Sequence, residues 1–304
     1  MLTFLKRKTG SIPGIDISST AITILELSKT RGQYRVEAYD RVLIDDASLM
    51  NDAGAIADRI RHTHLIYKQA ITSVPDSSTI TKIIHVSADL QEHEIEEWAF
   101  MEAEKYIPYP LDNINLDFNI VGASSDHFKM LDVLIVASRS DVVSLRVDAL
   151  RRASLTAVIV DVESFAIERA FQLLPCHMKN CALFFLNETF MPCLVFHKKK
   201  IIFSREDTFP GSQPDLILLQ IKRALQFFSS TIHHVYIDHI ILAGSVAHLP
   251  GLSTFLQEQL SVSTHIVNPF CHMTFATPTI REKIEKDASM LMVACGLALR
   301  GITV

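Results

Sequence analysis

Apolar and polar positions alternate with a period of two at the start of the chain. This pattern predicts one strand over Ile12–Ile17 and a second over Ala21–Leu27, with Ser18-Ser19-Thr20 as the tight turn between them. Tyr34–Ile44 reads as a third strand, reached through the turn Arg31-Gly32-Gln33. The period then lengthens. Ile56, Ile60 and Tyr67 share one face of a helix over about Asp52–Tyr67, with Asp52 near its start, and Ala70–Val74 is a short buried strand that ends at Pro75. The second half repeats this order. Strands at Cys181–Leu186, Phe190–Phe196 and Lys200–Phe203 make another meander, followed by a helix over Asp215–Ser229, a strand at His239–Ala243, a loop marked by Gly and Pro, and a helix from about Leu252. A meander, helix and strand occurring twice imply a duplicated α/β core, whose ligands bind at strand ends between the halves.

A stretch between the halves fits neither copy. Ser87 and Asp89 are expected to cap a helix running through about Tyr106, with Ile95, Trp98, Met101 and Lys105 near one face and Glu92, Glu94, Glu96 and Glu97 largely on another. The helix stops at Pro108-Tyr109-Pro110. Strands Asn115–Val121 and Met130–Ser138 and a helix over Asp141–Ala153 follow. This makes a compact inserted module, and it holds the only tryptophan of the chain. Trp98, Tyr106, Ile107, Pro108 and Tyr109 form an apolar cluster larger than so small a module needs. The cluster reads either as anchors for a docked peptide or, for Trp98 and Tyr106, as packing of the helix onto its strands.

Composition narrows the class. The chain has 304 residues, 48% of them hydrophobic, which is enough for two domains or two lobes. A net charge of −5 without a basic stripe argues against nucleic acid as a partner, and Lys198-Lys199-Lys200 reads as a solvated turn. Residues 1–9 read as a tail. They put their apolar residues before Lys6-Arg7-Lys8, the wrong order for a secretory signal, so none is expected. Cys181–Phe203 is interrupted by Asn187, Glu188 and the lysines, and is not a membrane span. Five dispersed cysteines suit reduced thiols in a cytoplasm. Cys176, His177 and Cys181 lack further ligands at suitable spacing, so no metal site is expected. The pairs His62/His64 and His233-His234 have no Cys or acidic cluster to join them.

Two chemistries fit the first turn. A small-residue turn after the strand-borne Asp16 offers backbone N–H groups, hydroxyls and a carboxylate suited to phosphate and Mg²⁺. Taken alone, the stretch reads first as an ordinary hairpin turn whose Asp caps its own backbone.

The order of motifs adds a family. Gly14-Ile15-Asp16-Ile17-Ser18-Ser19-Thr20, the run from Glu102 to Leu111, Val160–Ala166, Leu225-Gln226-Phe227-Phe228, Ile241-Leu242-Ala243-Gly244, Leu249-Pro250-Gly251-Leu252, Asn268-Pro269-Phe270 and Ala294–Leu299 together resemble the PilM family, the cytoplasmic actin-like components of type IV pilus assembly. More distantly they resemble the division protein FtsA. Ala103–Pro110 points to the pilus branch. The resemblance implies an actin-like, duplicated ribonuclease-H-like α/β fold. It would comprise a first-lobe core subdomain over 10–84 and 155–175, an inserted subdomain over 85–154, and a reduced second lobe over 176–304 that lacks most of the fourth subdomain.

By the same resemblance, Asp16 would orient Mg²⁺-bound water, and Ser18, Ser19 and Thr20 would line the first phosphate loop. Glu163 would polarise an attacking water, while Gly244, Ser245 and Gly251 would lie under adenine and ribose. Glu163 also reads as an exposed carboxylate at a helix start, and the glycines as turn glycines. The family's second phosphate loop begins with Asp, a hydrophobic residue and Gly, where this chain has Phe185-Leu186-Asn187-Glu188. Phe185 removes a Mg²⁺ ligand. Glu188 adds a like charge that costs about 4 kcal/mol at about 4 Å and an effective dielectric of about 20. Ser18 stands where Gly is usual, and the short path from Phe209 to Leu225 leaves no room for a subdomain that walls the adenine pocket.

The nucleotide cleft is therefore expected to be vestigial, with no cofactor, although ATP with Mg²⁺ is what the family would bring. The expected function is a non-enzymatic scaffold on the cytoplasmic face of the inner membrane. It would bind the N-terminal tail of a bitopic, PilN-like pilus or secretion protein in a groove between the first subdomain and the inserted module. The alternative is a working actin-like ATPase. A sugar or acetate kinase lacks its acceptor-binding acid and Gly-rich second loop.

Overall fold

The computed structural model describes residues 11–44, 46, 51–63, 67–108, 110–124, 127–175, 178–187, 190–209 and 211–303. The chain divides into two compact units, one of residues 1–16, 23–40 and 165–304, the other of residues 17–22 and 41–164.

The first unit opens with β1 (Gly14–Ile17), β2 (Ala21–Thr30) and β3 (Gln33–Leu43), close to the strands expected. Arg31 and Gly32 between β2 and β3 both have positive φ, the backbone twist that suits a two-residue hairpin. A two-residue strand unforeseen in the sequence, Thr274–Phe275, adds to β3 in parallel, Thr274 opposite Arg35.

The second meander of this unit is β9 (Asn180–Phe185), β10 (Phe190–His197) and β11 (Lys200–Thr208), and it leads into α5 (Pro214–Thr231), β12 (His239–Ala243), α6 (Leu252–Leu260) and β13 (Ser263–Ile266). Their sheet runs β11-β10-β9-β12-β13, with β12 parallel to β9 and β13. Strand β11 extends five residues beyond the expected end at Phe203. Its polar run is held in register with β10, Met191 opposite Asp207, and Arg205 ion-pairs with Asp207 at 2.8 Å. Only residues 209–213 separate β11 from α5.

Strands β9 and β12 read as continuous apolar runs because both faces of the sheet are covered. Alternation sends Leu183, Phe185, Ile241 and Ala243 to one core with Phe171, Phe196, Cys295 and Ala298. Ala182, Phe184, Ile240 and Leu242 go to a second core with Ile217, Ile221 and Phe228 of α5 and Leu252 and Leu256 of α6. The first core is closed by α4 (Glu163–Phe171) and α8 (Met292–Arg300). These helices meet at Gly296, where a Cβ would lie 1.8 Å from the Ala166 carbonyl oxygen, so no larger residue fits.

The lysine run is more than a solvated turn. Lys198 and Lys199 make a positive-φ hairpin, and Lys199 Nζ donates to the carbonyls of Gln172 (2.7 Å) and Leu174 (2.8 Å) after the end of α4. Free carbonyls at a helix end attract such a cation.

The second unit pairs β4 (Gln69–Val74) with β8 (Thr156–Val162) in parallel, Val74 opposite Val162, and packs α1 (Ala53–His62) against α3 (Ser140–Arg152). Helix α1 starts where Asp52 accepts from the Gly54 N–H at 2.7 Å, and it ends five residues earlier than expected, at His62. The rest of the unit is an antiparallel sheet, β5-β7-β6, of β5 (Thr79–Ser87), β7 (Met130–Arg139) and β6 (Ile114–Ala123), with α2 (Glu92–Ala103) packed on it.

Three expectations are corrected here. The module has three strands, not two, because Ile84 and Val86 of β5 alternate into its core. Glu94, accepting from the Gln91 N–H at 2.8 Å, closes the start of α2 in place of Ser87 and Asp89. The buried face of α2 is Ile95, Ala99 and Ala103, spaced by four, so Trp98 and Met101 are turned outward.

Candidate functional site

In the first unit, β9 and β12 end side by side, Phe185 opposite Ala243, and the chain beyond them is tied together. The Leu186 N–H donates to Ala243 O (2.8 Å) and the Val246 N–H to Leu186 O (3.2 Å). Gly244 sits between with φ +92°, and a Cβ there would lie 2.5 Å from the Leu186 carbonyl oxygen and 2.7 Å from Asn187 Oδ1. Behind it the buried Ser289 accepts the Gly244 N–H on its carbonyl (2.9 Å) and donates its hydroxyl to Gly244 O (3.1 Å). His248 Nε2 lies 2.9 Å from the same hydroxyl. Ser245 is exposed at the start of a 3₁₀ turn, and Gly251, at φ +77°, precedes α6 with open space around it. The ring of Phe185 is buried in the core of this unit, and the buried Asp16 is engaged by neighbouring groups. Glu188 and Thr189 lie outside the described residues, as do Cys176 and His177.

In the second unit, the Ser18 hydroxyl is consumed by its own turn. It donates to Ala21 O (3.0 Å) and accepts the Ala21 N–H (3.2 Å), while Ser19 and Thr20 are exposed. Glu163, half-buried, is the first residue of α4 and has partners. Sequence reasoning missed its neighbour across the strand ends. Asp76, two residues past β4, accepts the Ser164 N–H at 3.0 Å. The Asp76 residue as a whole touches solvent, but its carboxylate is crowded by protein atoms. That desolvation raises its pKa above the ordinary carboxylate value, against the pull of the Ser164 hydrogen bonds. An acid directly after Pro75 at a strand end was the available signal.

The same unit carries a cleft of about 130 Å³ lined by Ser77, Ser78, Thr79, Ile80, Ile107, Pro108, Ile114, Ala137, Ser138 and Arg139. It opens where β5 and β6 begin, β7 ends and the chain leaves α2. Its size is close to the ~150 Å³ apolar cavity that holds a benzene ring, so it admits one apolar side chain. Of the expected docking residues, Ile107 and Pro108 line it, with Ile107 also packed into the module core at 8% exposure. Trp98 and Tyr106, each 43% exposed, do not line it, and Tyr109 lies outside the described residues. Arg139 at the rim is held by Asp141.

The class follows from likeness to solved structures. The chain is similar to a chain of the PilM–PilN type IV pilus biogenesis complex, with 21% identity, 96% of this chain and 98% of that chain covered and a TM-score of 0.78. It is similar to a Bacteroides thetaiotaomicron protein with an actin-like ATPase fold and unknown function (14% identity, 88% and 95% covered, TM-score 0.52). The ethanolamine utilization protein EutJ from Carboxydothermus hydrogenoformans is similar at 12% identity (96% and 90% covered, TM-score 0.52). The fold is actin-like.

The family is narrower than the fold. A model of the type IV pilus assembly protein PilM matches residues 14–216 and 214–302. The chain belongs to the PilM family of type IV pilus assembly proteins.

Proposed function

We propose that this chain is a non-enzymatic scaffold of a type IV pilus or related secretion platform. In this reading it sits at the cytoplasmic face of the inner membrane and holds the cytoplasmic N-terminal tail of a bitopic, PilN-like partner. The observation that carries the reading is the small cleft at the base of the module, where Ile80, Ile107, Pro108 and Ile114 meet a rim of Ser77, Ser78, Thr79, Ser138 and Arg139. It would take an apolar side chain of an extended tail, with the edge of β5 offering backbone partners. The family match and the likeness to a protein seen in complex with PilN support this choice of partner. No helix among the described residues is long and apolar enough to cross a membrane, so attachment would come through the partner. The domain reading goes with it: a core over 10–84 and 155–175, an inserted subdomain over 85–154 whose sheet also takes in the start of β5 from Thr79, and a second lobe over 176–304 without most of a fourth subdomain, supported by the short link from β11 to α5.

The residues present do not fit a Mg²⁺-nucleotide. Phe185 stands in a core where the family places a carboxylate, Asn187 crowds Gly244 where phosphate must reach backbone, and the Ser18 hydroxyl is already bonded. ATP with Mg²⁺ should leave the melting temperature unchanged, whereas a ligand at 100 times its Kd adds about 2.7 kcal/mol. A clear rise at sub-millimolar ATP, abolished by Asp16→Ala, would instead favour the alternative of an active actin-like ATPase. The partner is tested by co-purification from membranes with mass spectrometry, then by titrating a peptide of the recovered protein's cytoplasmic tail. Failure of that peptide to bind would end the scaffold reading.

A further inference from the structure

Helix α2 buries only small residues between its ends, Ala99 and Ala103 beside Ile95, and leaves its large ones outside. Trp98 is 43%, Phe100 41% and Met101 58% exposed, and Tyr106, in the turn after the helix, is 43% exposed. Spacings of three and four make Glu97, Phe100, Met101 and Glu104 neighbours on the outer surface, with Trp98 one step from Met101. Apolar side chains thus flank a central acidic pair.

Exposed large apolar groups at this density mark interaction surfaces, and a helix needing only solubility would not carry them. The charge says what kind of partner fits. The outer face holds Glu97 and Glu104, and no ion pair among the described residues uses either of them, whereas Glu102 is matched by Lys105. Glu97 and Glu104, which lie between Phe100 and Met101 on that face, complement a cationic partner there, whereas Glu92 and Glu96 lie on the flank beside Phe118. None of these residues lines the cleft described above.

We propose that the outer face of α2 is a second docking surface, distinct from the cleft, that takes a basic amphipathic segment of a partner protein. Apolar side chains of the segment would pack on Trp98, Met101 and Phe100, and its Lys or Arg residues would pair with Glu97 and Glu104. The helix-in-groove mode supplies the apolar anchors, and the charge sets orientation and association rate.

The only tryptophan of the chain reports on this face directly. The full chain is titrated with a short amphipathic peptide of leucine and lysine, and with its analogue carrying glutamate for lysine. The lysine peptide should shift the Trp98 emission to the blue with a micromolar Kd that weakens with salt, and the glutamate peptide should not. Glu97→Lys with Glu104→Lys, both on the surface, should weaken the lysine peptide at least about tenfold at an unchanged melting temperature. Emission that does not move, equal binding of the two peptides, or full affinity in the double reversal would each overturn the proposal. So would a blue shift that grows with the chain's own concentration as its mass doubles, since the occupant would then be a second copy.

Discussion

Gly244→Ala tests whether the glycine after β12 serves packing or an open ligand loop. At φ +92° and ψ 174° Gly244 has a backbone that essentially only glycine adopts, where alanine costs about 1–3 kcal/mol. Its methyl would also lie 2.5 Å from the Leu186 carbonyl oxygen and 2.9 Å from the carbonyl carbon, which are backbone atoms fixed by the Ala243 and Val246 hydrogen bonds. Overpacking of that kind adds about 1–3 kcal/mol. The sum is about 2–6 kcal/mol, a fall of roughly 4–12 °C at about 2 °C per kcal/mol. Gly251→Ala is the reference: at φ +77° and ψ −6° it is in the ordinary left-handed region, which costs an alanine about 1–2 kcal/mol, and nothing lies within 4 Å of the added methyl. Scanning calorimetry of both variants, with and without ATP, sets the combined conformational and steric cost at Gly244 against a conformational cost alone. If Gly244→Ala melts within about 0.5 kcal/mol of Gly251→Ala, the Leu186 carbonyl moves aside freely and the loop is open, refuting the packing account.

Three further outcomes are expected. Burial raises the folded pKa of Asp76 above its unfolded value, so its charge penalises the fold at neutral pH and not below the unfolded value of 3.8. Asp76→Asn should therefore melt slightly higher than the parent at pH 7, by under about 1 kcal/mol given the solvent that reaches it, and equally at pH 3. A gain that persists at pH 3 would exclude linkage as its cause. The Cys181 and Cys193 thiols are pushed up to about 12 by burial and Cys295 is pushed up by full burial, whereas Cys271 is exposed. Iodoacetamide at pH 8 should label Cys271 and spare those three until the chain is unfolded, as read by peptide mass spectrometry. Ile114→Asp at the cleft should weaken the partner tail at least about tenfold, with the Trp98 response to the lysine peptide unchanged. Equal tail affinity would remove the cleft as its site.

Much of this fold is legible because its strands and helices obey one period at a time. Strands such as β10 and β12, and helix α5, lie within two residues of the sequence expectation, since their apolar runs are bounded by Gly, Pro or charge. Strand β5 was missed for a physical reason. Ile83-Ile84 puts two apolar residues in succession, and Ile83 is 49% exposed, so the alternation that buries Ile84 and Val86 is masked in the sequence. The end of β11 was hidden likewise, because Arg205-Glu206-Asp207 carries a strand by pairing and charge instead of by hydrophobicity.

The site was harder to read, and α2 shows why. Hydrophobicity alone put Trp98 and Met101 on the inner face, because large apolar residues usually face a core. The sheet beneath presents Ile84, Val86, Val133 and Ile135, already bulky, and α2 approaches it through Ala99 and Ala103. Large side chains beneath call for small ones above, as interdigitating layers do. That choice rotates the helix by less than half a turn and turns every large α2 side chain except Ile95 outward. Ala99 and Ala103, four apart, were the legible signal, since a helix whose small residues recur with its buried period lies close to its neighbour. The apolar residues so displaced then require another explanation than the core, and an acidic surface around them narrows it to a cationic, apolar partner.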